Sequence, residues 1–360
     1  MPQLDLFAGP HLEKLAAQSE ASVALQMPPD PLVDVETDPS PIVEPTPIER
    51  PIKSQAIDWH PDTVPWSEPP SGDPRVVLIV DAPALLEQAA HVPKVREIIG
   101  PNGCPAGLVR SFSKTFLRLL GQHKPDLVVV VFDGQPSEEI DLELRMQTEI
   151  CRTLCELLGC STIASTKARC VDIIGTLASE CPADWPVIVA SNRTALLQLG
   201  QRQDLAISYW RQGEQYTEHA DVDCRRRGRV EPHQIAAYFA LAGLRGVGEA
   251  SAREIMQAVK TEKALLDLVA LGDSFGVAAG LSSKMRGRIR VAQALLDGRD
   301  GLANTVKAAR LVRDVDDPGE VPTASELEQR LYRRERDDAG LRLVGEAWGI
   351  KELRGDYDSE

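Results

Sequence analysis

The chain has 360 residues and is 43% hydrophobic, enough for two ordinary domains with real cores, which excludes a wholly disordered protein. Its 40 Lys and Arg against 54 Asp and Glu leave a net charge of −14, which would argue against nucleic acid only if it were evenly spread. It is not: residues 1–74 hold 13 acids and 3 bases, residues 313–360 hold 14 and 8, and residues 75–312 are near balance with 29 bases and 27 acids. Basic patches there can still attract phosphates within a Debye length of about 10 Å.

Residues 1–74 contain 15 of the 26 prolines and no sustained apolar period, so they cannot bury enough surface to offset their ordering entropy. They read as a disordered, acidic tether. The start MPQLDLFAGP has neither a basic nor an apolar leader region, and no run of about 18 apolar residues follows. A soluble, cytoplasmic protein is expected, with no membrane partner. The seven cysteines form no C-x-x-C pair and fall in apolar patterns, which favours buried free thiols over a zinc site.

At Arg75 the texture changes. RVVLIVD (75–81) is a continuous β-branched run ending in Asp81, SFSKTFLRLL (111–120) reads as an amphipathic helix, and DLVVVVFD (126–133) repeats the strand pattern, ending in Asp133. A helix start follows at VDIIGTLA (171–178), then a third buried strand in PVIVAS (186–191). The frame VIVASNRTALLQL (187–199) predicts a strand running into a helix, with Asn192, Arg193 and Thr194 at the junction. Buried strands alternating with helices predict an α/β fold whose parallel sheet is covered on both faces, and in such sheets ligands sit at the carboxyl ends of strands.

Beyond residue 216 helices take over. PHQIAAYFALAG (232–243) and GEASAREIMQAVK (248–260) flank the turn LRGVG, and SSKMRGRIRVAQALLDG (282–298) follows as one helix. A last helix is expected to open at Ser325, with Glu328 completing a capping box. The resulting division is a tail at 1–74, an α/β domain at 75–215, a helical module at 216–312 and an acidic helical extension at 313–360.

In this order the strand-end Asp81 and Asp133, the helix start at 171, the strand-to-helix frame at 187 and YFALAG followed by GVGEASA resemble the bacterial 5′–3′ exonuclease family. That family comprises the N-terminal nuclease domain of DNA polymerase I and the flap endonucleases. The resemblance spans residues 75–312 and implies a resolvase- or PIN-like domain joined to a helix–hairpin–helix module that grips duplex DNA. It also implies an acidic site for two metal ions about 3.5–4 Å apart, which activate water and steady the leaving oxygen.

The family's metal ligands are depleted here. Asp81 and Asp133 keep the strand-end positions. The Glu-Ala-Asp-Asp helix start appears as Arg169-Cys170-Val171-Asp172, and the two aspartates of the Thr-Gly-Asp-Lys-Asp junction fall on Arg193 and Ala195. The acidic loop before the hairpin is missing, and GQPSEEIDLELRMQTEI (134–150) is too short for the family's basic arch. A guanidinium cannot bind a divalent ion and does not deprotonate at accessible pH. Arg169 and Arg193 are therefore expected to enter the old metal pocket and pair with Asp81, Asp133 or Asp172, in place of Mg²⁺ or Mn²⁺. The bland reading leaves the three acids as helix caps. An active nuclease with a reduced one-metal site stays open, as does a protein-interaction module without DNA binding.

DNA contacts are expected at Gly246, Val247 and Gly248, whose backbone N–H groups can approach a phosphate, and at two basic clusters: Arg225, Arg226, Arg227 and Arg229; and Lys284, Arg286, Arg288 and Arg290, spaced i,i+4 on one helix. The peptide Gln3-Leu4-Asp5-Leu6-Phe7 resembles the motif that docks bacterial replication proteins on the sliding clamp, with an amide and two apolar anchors on a leash.

Overall fold

The computed structural model describes residues 75–353 apart from 135–141, 203, 212–213, 221–223, 225–229, 271, 282–286, 316 and 318–320. Among the described residues six strands form one sheet: β1 (Val77–Asp81), β2 (Leu127–Asp133), β3 (Ser161–Ser165), β4 (Val187–Ala190), β5 (Leu205–Arg211) and β6 (Glu214–His219). Their order is β3-β2-β1-β4-β5-β6, with β6 antiparallel to β5 and every other pair parallel. The order reverses between β1 and β4, so a crevice opens where the carboxyl ends of those two strands part.

The apolar runs of β1 and β2 have no polar face because both faces are covered. Val77, Ile79, Leu127, Val129, Val131, Val187 and Val189 point into one core, and Leu78, Val80, Val128, Val130 and Phe132 into the other, as the two-residue strand period requires. Helices α1 (Ala82–Ala90) and α3 (Gly107–His123) cover the second face, where Phe112 and Phe116 stack with centroids 5.8 Å apart. Between them runs the short α2 (Pro93–Arg96). Helix α4 (Leu142–Leu157) buries Cys151, Leu154 and Cys155 on the same side, and α5 (Cys170–Glu180) buries Ile173, Ile174 and Leu177 on the other. Six of the seven cysteines are buried free thiols, and Cys104 is partly so.

The segment after β4 differs from the expected α-helix. Residues Thr194–Gln201 form a 3₁₀ helix, whose three-residue repeat sets the buried Leu196 and Leu199 on one edge. Strand β6 crosses residue 216, so the sheet continues to His219.

The helical half comprises α6 (Ile235–Ala242), α7 (Glu249–Val259), α8 (Glu262–Ala270), α9 (Ser274–Gly280), α10 (Arg288–Asp297) and α11 (Arg299–Ala309). It shares the core of the α5 face through Ile235, Leu241, Ile255, Val291 and Leu302. Helix α10 opens at Arg288 behind Gly287, whose φ of 64 is the left-handed conformation suited to glycine. Arg288 and Arg290 stand in the first turn of α10, while Lys284 and Arg286, expected to pair with them at i,i+4 spacing, lie outside the described residues.

The chain then returns along α5. Gly175 makes room for it, since a Cβ there would sit 2.8 Å from Leu311 Cγ and 2.9 Å from the Val312 oxygen. Helix α12 (Ala324–Leu331) starts two residues earlier than expected: Thr323 and Glu326 make the capping box, while Glu328 is drawn to Arg75 at 2.6 Å. Helix α13 (Asp338–Trp348) places Leu341 and Trp348 in the core of the second face.

Candidate functional site

Asp81 ends β1 at the reversal point of the sheet and is fully buried. A carboxylate there must be compensated, because burying an unpaired charge costs several kcal/mol. Its Oδ1 accepts the Ala84 N–H at 3.1 Å, capping α1, and the Cys170 Sγ at 3.6 Å. Its Oδ2 accepts the Ser191 hydroxyl at 2.6 Å and lies 3.3 Å from Arg193 Nε in an ion pair. The Arg193 N–H in turn donates to Ser191 Oγ at 3.0 Å, which aims that hydroxyl at Asp81. Arg193 Nη2 reaches Glu87 Oε1 at 3.0 Å, so one guanidinium spans a buried and an exposed acid.

The electrostatics follow from this arrangement. Burial works against the Arg193 charge, but Asp81 and Glu87 outweigh it and hold its pKa above the ordinary arginine value. Burial, then Asp81 and Asp133, push the Cys170 thiol far up, so it serves as a neutral donor. Asp133 reaches solvent at the end of β2, yet the protein around it desolvates its carboxylate and raises its pKa; Arg193 opposes the shift and Asp81 adds to it.

The structure thus brings Asp81, Asp133 and Arg193 together and sets Asp172 and Arg169 apart. Asp172 lies two residues after Cys170, about 200° around α5 at 3.6 residues per turn. Arg169 clasps it with both forks, Nε to Oδ2 at 2.6 Å and Nη2 to Oδ1 at 2.8 Å. The same guanidinium donates to the carbonyls of Ala308 at 2.7 Å and Arg310 at 3.0 Å, and Asp172 Oδ1 accepts the Val312 N–H at 2.9 Å. The single shared pocket expected for both arginines is replaced by two separate ion pairs, the second of which ties α5 to the end of α11.

These residues do not fit a divalent ion. Each oxygen of Asp81 already accepts a protein donor, a fixed cation stands against it, and Asp172 faces elsewhere. Among the described residues no group of three or more His, Cys, Asp and Glu side chains could hold a metal ion.

In the helical half the turn between α6 and α7 is open. Gly246 has φ 92, a left-handed conformation suited to glycine, and Val247 is buried as its anchor. The exposed Gly248 caps α7 without a side-chain hydrogen bond, and a Cβ on it would meet nothing within 4 Å. A Cβ built on Gly246 comes 3.3 Å from Ala294 Cβ; Arg290 lies one turn before Ala294 on the same face of α10. Glu249, exposed in the first turn of α7, puts a carboxylate at the same end. A phosphate there would depend on the turn N–H groups and the neighbouring arginines, since the dipole already has a partner. Arg225, Arg226, Arg227, Arg229, Lys284 and Arg286 lie outside the described residues, as do Gln3, Leu4, Asp5, Leu6 and Phe7.

Ser191, Glu87 and Cys170 escaped the residue-by-residue reading. Ser191 ends an apolar strand and carries a weak signal, a small polar residue at a carboxyl strand end. Glu87 carries none, because only the fold of α1 brings it to Arg193.

With this geometry established, comparison with solved structures gives its architecture a context. Phage T5 5′-exonuclease with bound zinc superposes with a TM-score of 0.50 at 14% identity, covering 78% of this chain and 97% of that one. This is the 5′-exonuclease fold. Human GEN1 in complex with Holliday junction DNA gives a TM-score of 0.52 at 12% identity, over 75% of this chain and 66% of that one. The catalytic core of Rad2 in complex with DNA substrate gives 0.50 at 13%, over 85% and 93%. No family model and no curated protein sequence matches the chain. The PIN-like nuclease architecture is therefore present, and on it Arg193 stands against the strand-end Asp81. Among the described residues no helix is long and apolar enough to cross a membrane.

Two predictions follow from the cleft. Replacing Arg193 by Met strands Asp81 in the interior and should cost about 3 kcal/mol in urea unfolding; adding Asp81→Asn should return much of that loss, and independent effects of the two changes would refute the coupling. Asp133 has a raised folded pKa, so the folded state holds its proton more tightly than the unfolded state does. Stability is then lost as pH rises from the ordinary carboxylate value through the folded pKa. Asp133→Asn should raise the thermal midpoint at neutral pH, with the gain vanishing below about pH 3 to 4; a gain constant across pH would contradict the assignment.

Proposed function

We propose that this chain is a divergent relative of the bacterial 5′–3′ exonucleases that binds DNA structures in replication or repair and does not cleave them. The observation that carries this reading is the ion pair of Arg193 with Asp81. Metal-assisted phosphodiester hydrolysis needs several convergent carboxylates to hold its ions. Here a tethered cation neutralises the innermost one. Retention of the 5′-exonuclease fold and of an exposed glycine turn supports continued DNA binding, through phosphate contacts that carry no sequence information.

Full-length protein should bind 5′-flap or duplex DNA without Mg²⁺ or Mn²⁺ and should leave it intact when either ion is added. Affinity should fall steeply with salt, and Arg288→Ala and Arg290→Ala should each reduce the log–log salt slope by about 1. Metal-dependent cleavage abolished by Asp133→Asn would instead support the one-metal nuclease. DNA affinity insensitive to salt and to both arginine changes would favour a module that binds only proteins.

The second partner of this reading is the bacterial sliding clamp, met by Gln3, Leu4, Asp5, Leu6 and Phe7 on the proline-rich tether. Changing Leu6 and Phe7 to Ala should abolish co-elution with the clamp and leave the thermal midpoint unchanged. Undiminished co-elution would remove the clamp from the scheme.

A further inference from the structure

Away from the cleft, α2, the first turns of α3 and the 3₁₀ turn Lys351–Leu353 line an open pocket of about 440 Å³. Its chemistry is two-sided. Arg110 and Lys114 stand one turn apart on α3, and Lys351 faces them from the C-terminal turn; Val95, Ile98 and Ile350 supply apolar surface. The three cationic side chains make no hydrogen bond or ion pair among the described residues. Glu352 is the single acid in the lining, so the corner carries a surplus of two positive charges, and Ser111 adds a hydroxyl.

The walls are held in place by close backbone approaches. A Cβ on Gly107 would come 1.6 Å from the Val95 carbonyl oxygen, so α2 lies directly against α3. Gly349 ends α13 at φ 68 and turns Ile350 and Lys351 back towards α3; a Cβ there would be 3.1 Å from Pro101 Cδ and 3.8 Å from Arg110 Cζ. Ordinary surface lysines stand alone in water. Here unpaired cations converge on an apolar floor within the size range of small-ligand sites, about 300–1,000 Å³. The metal-type cleft has the opposite balance, with Asp81, Glu87 and Asp133 against Arg193.

We propose that this corner is a second binding site that takes a nucleoside phosphate, with the phosphate among Arg110, Lys114 and Lys351 and the sugar or base on Val95, Ile98 and Ile350. The same chemistry is offered by a free nucleotide and by the terminal nucleotide of a DNA strand. For a strand, the exposed Arg118, one further turn along α3, is open to the next phosphate.

The test uses full-length protein carrying Arg288→Ala and Arg290→Ala, in EDTA, so that its result does not depend on the DNA contacts proposed for the helical half. Binding of AMP is followed by calorimetry and of a short fluorescent oligothymidylate by anisotropy. Saturable binding is expected and should weaken about tenfold or more in Arg110→Ala/Lys114→Ala, with the thermal midpoint kept. Lys351→Glu, which leaves α3 untouched, should cause a similar loss, whereas Arg342→Ala on α13 should not. AMP binding assigns the site to free nucleotides, and oligothymidylate binding alone assigns it to strand ends. Absence of saturable binding by both probes, or binding unchanged in both corner variants, would overturn the proposal.

Discussion

A carboxylate with no solvent exposure sits where a parallel sheet reverses its strand order, and much of the cleft is arranged around satisfying it. Asp81 has the Ala84 N–H, the Cys170 thiol, the Ser191 hydroxyl and the Arg193 guanidinium around its two oxygens. A divalent ion would be a mobile counter-charge, present only when bound and able to acidify water. A guanidinium is covalently attached, permanently charged and holds no water for activation. With the guanidinium in place, the charge balance around Asp81 does not depend on a bound ion. One polar residue after β4 serves both ends: Ser191 Oγ accepts the Arg193 N–H and its hydroxyl donates to Asp81.

Asp172 is engaged away from the cleft. Asp172, Arg169 and the backbone at 308–312 form a clasp between α5 and the end of α11, with Gly175 giving the returning chain its closest approach. The clasp lies beside a continuous apolar core that runs from Val129 and Ile174 through Ile235 to Leu302. Sheet and helical half therefore cohere through shared burial, which is not directional, while the ion pair adds register. Burial alone would tolerate sliding of α11 along α5; a bidentate fork with backbone acceptors on both sides does not.

How much of this was legible in the sequence depended on whether the signal was local. The continuous runs of β1, β2 and β4, the amphipathic α3 and the glycine turn after α6 are written in contiguous residues, and the fold class follows from their alternation. Strand β3 escaped because STIAS mixes polar and apolar residues at the sheet edge, and β5 and β6 because half of their alternation is polar. The cap of α12 moved from Ser325 to Thr323 because Glu328 had a better partner in Arg75, 253 positions away in sequence. Arginines at positions 169 and 193 stood out in the sequence against the family it resembles, but their partners were not readable. Whether two arginines share one pocket depends on the angle between Cys170 and Asp172 around α5, and Glu87 enters only through the direction of α1.

The distribution of charge now bears on how a nucleic acid could lie on this surface. In a nuclease whose ions are bound, the cleft attracts the scissile phosphate; with Asp81, Glu87 and Asp133 set against Arg193 alone, the same cleft repels it. The raised pKa of Asp133 is an effect of burial, since Arg193 opposes it more strongly than Asp81 adds to it. Positive potential lies instead at the start of α10 and along Arg110, Lys114 and Arg118 of α3, both outside the cleft. A strand held by those cations would pass the Asp81 cleft without entering it. A bound phosphodiester would then be kept out of the cleft by charge alone. An acid at position 193 in place of the arginine would add negative charge beside Asp81 and deepen that exclusion unless metal bound at the same time, so this single change would weaken DNA binding before it supported any chemistry.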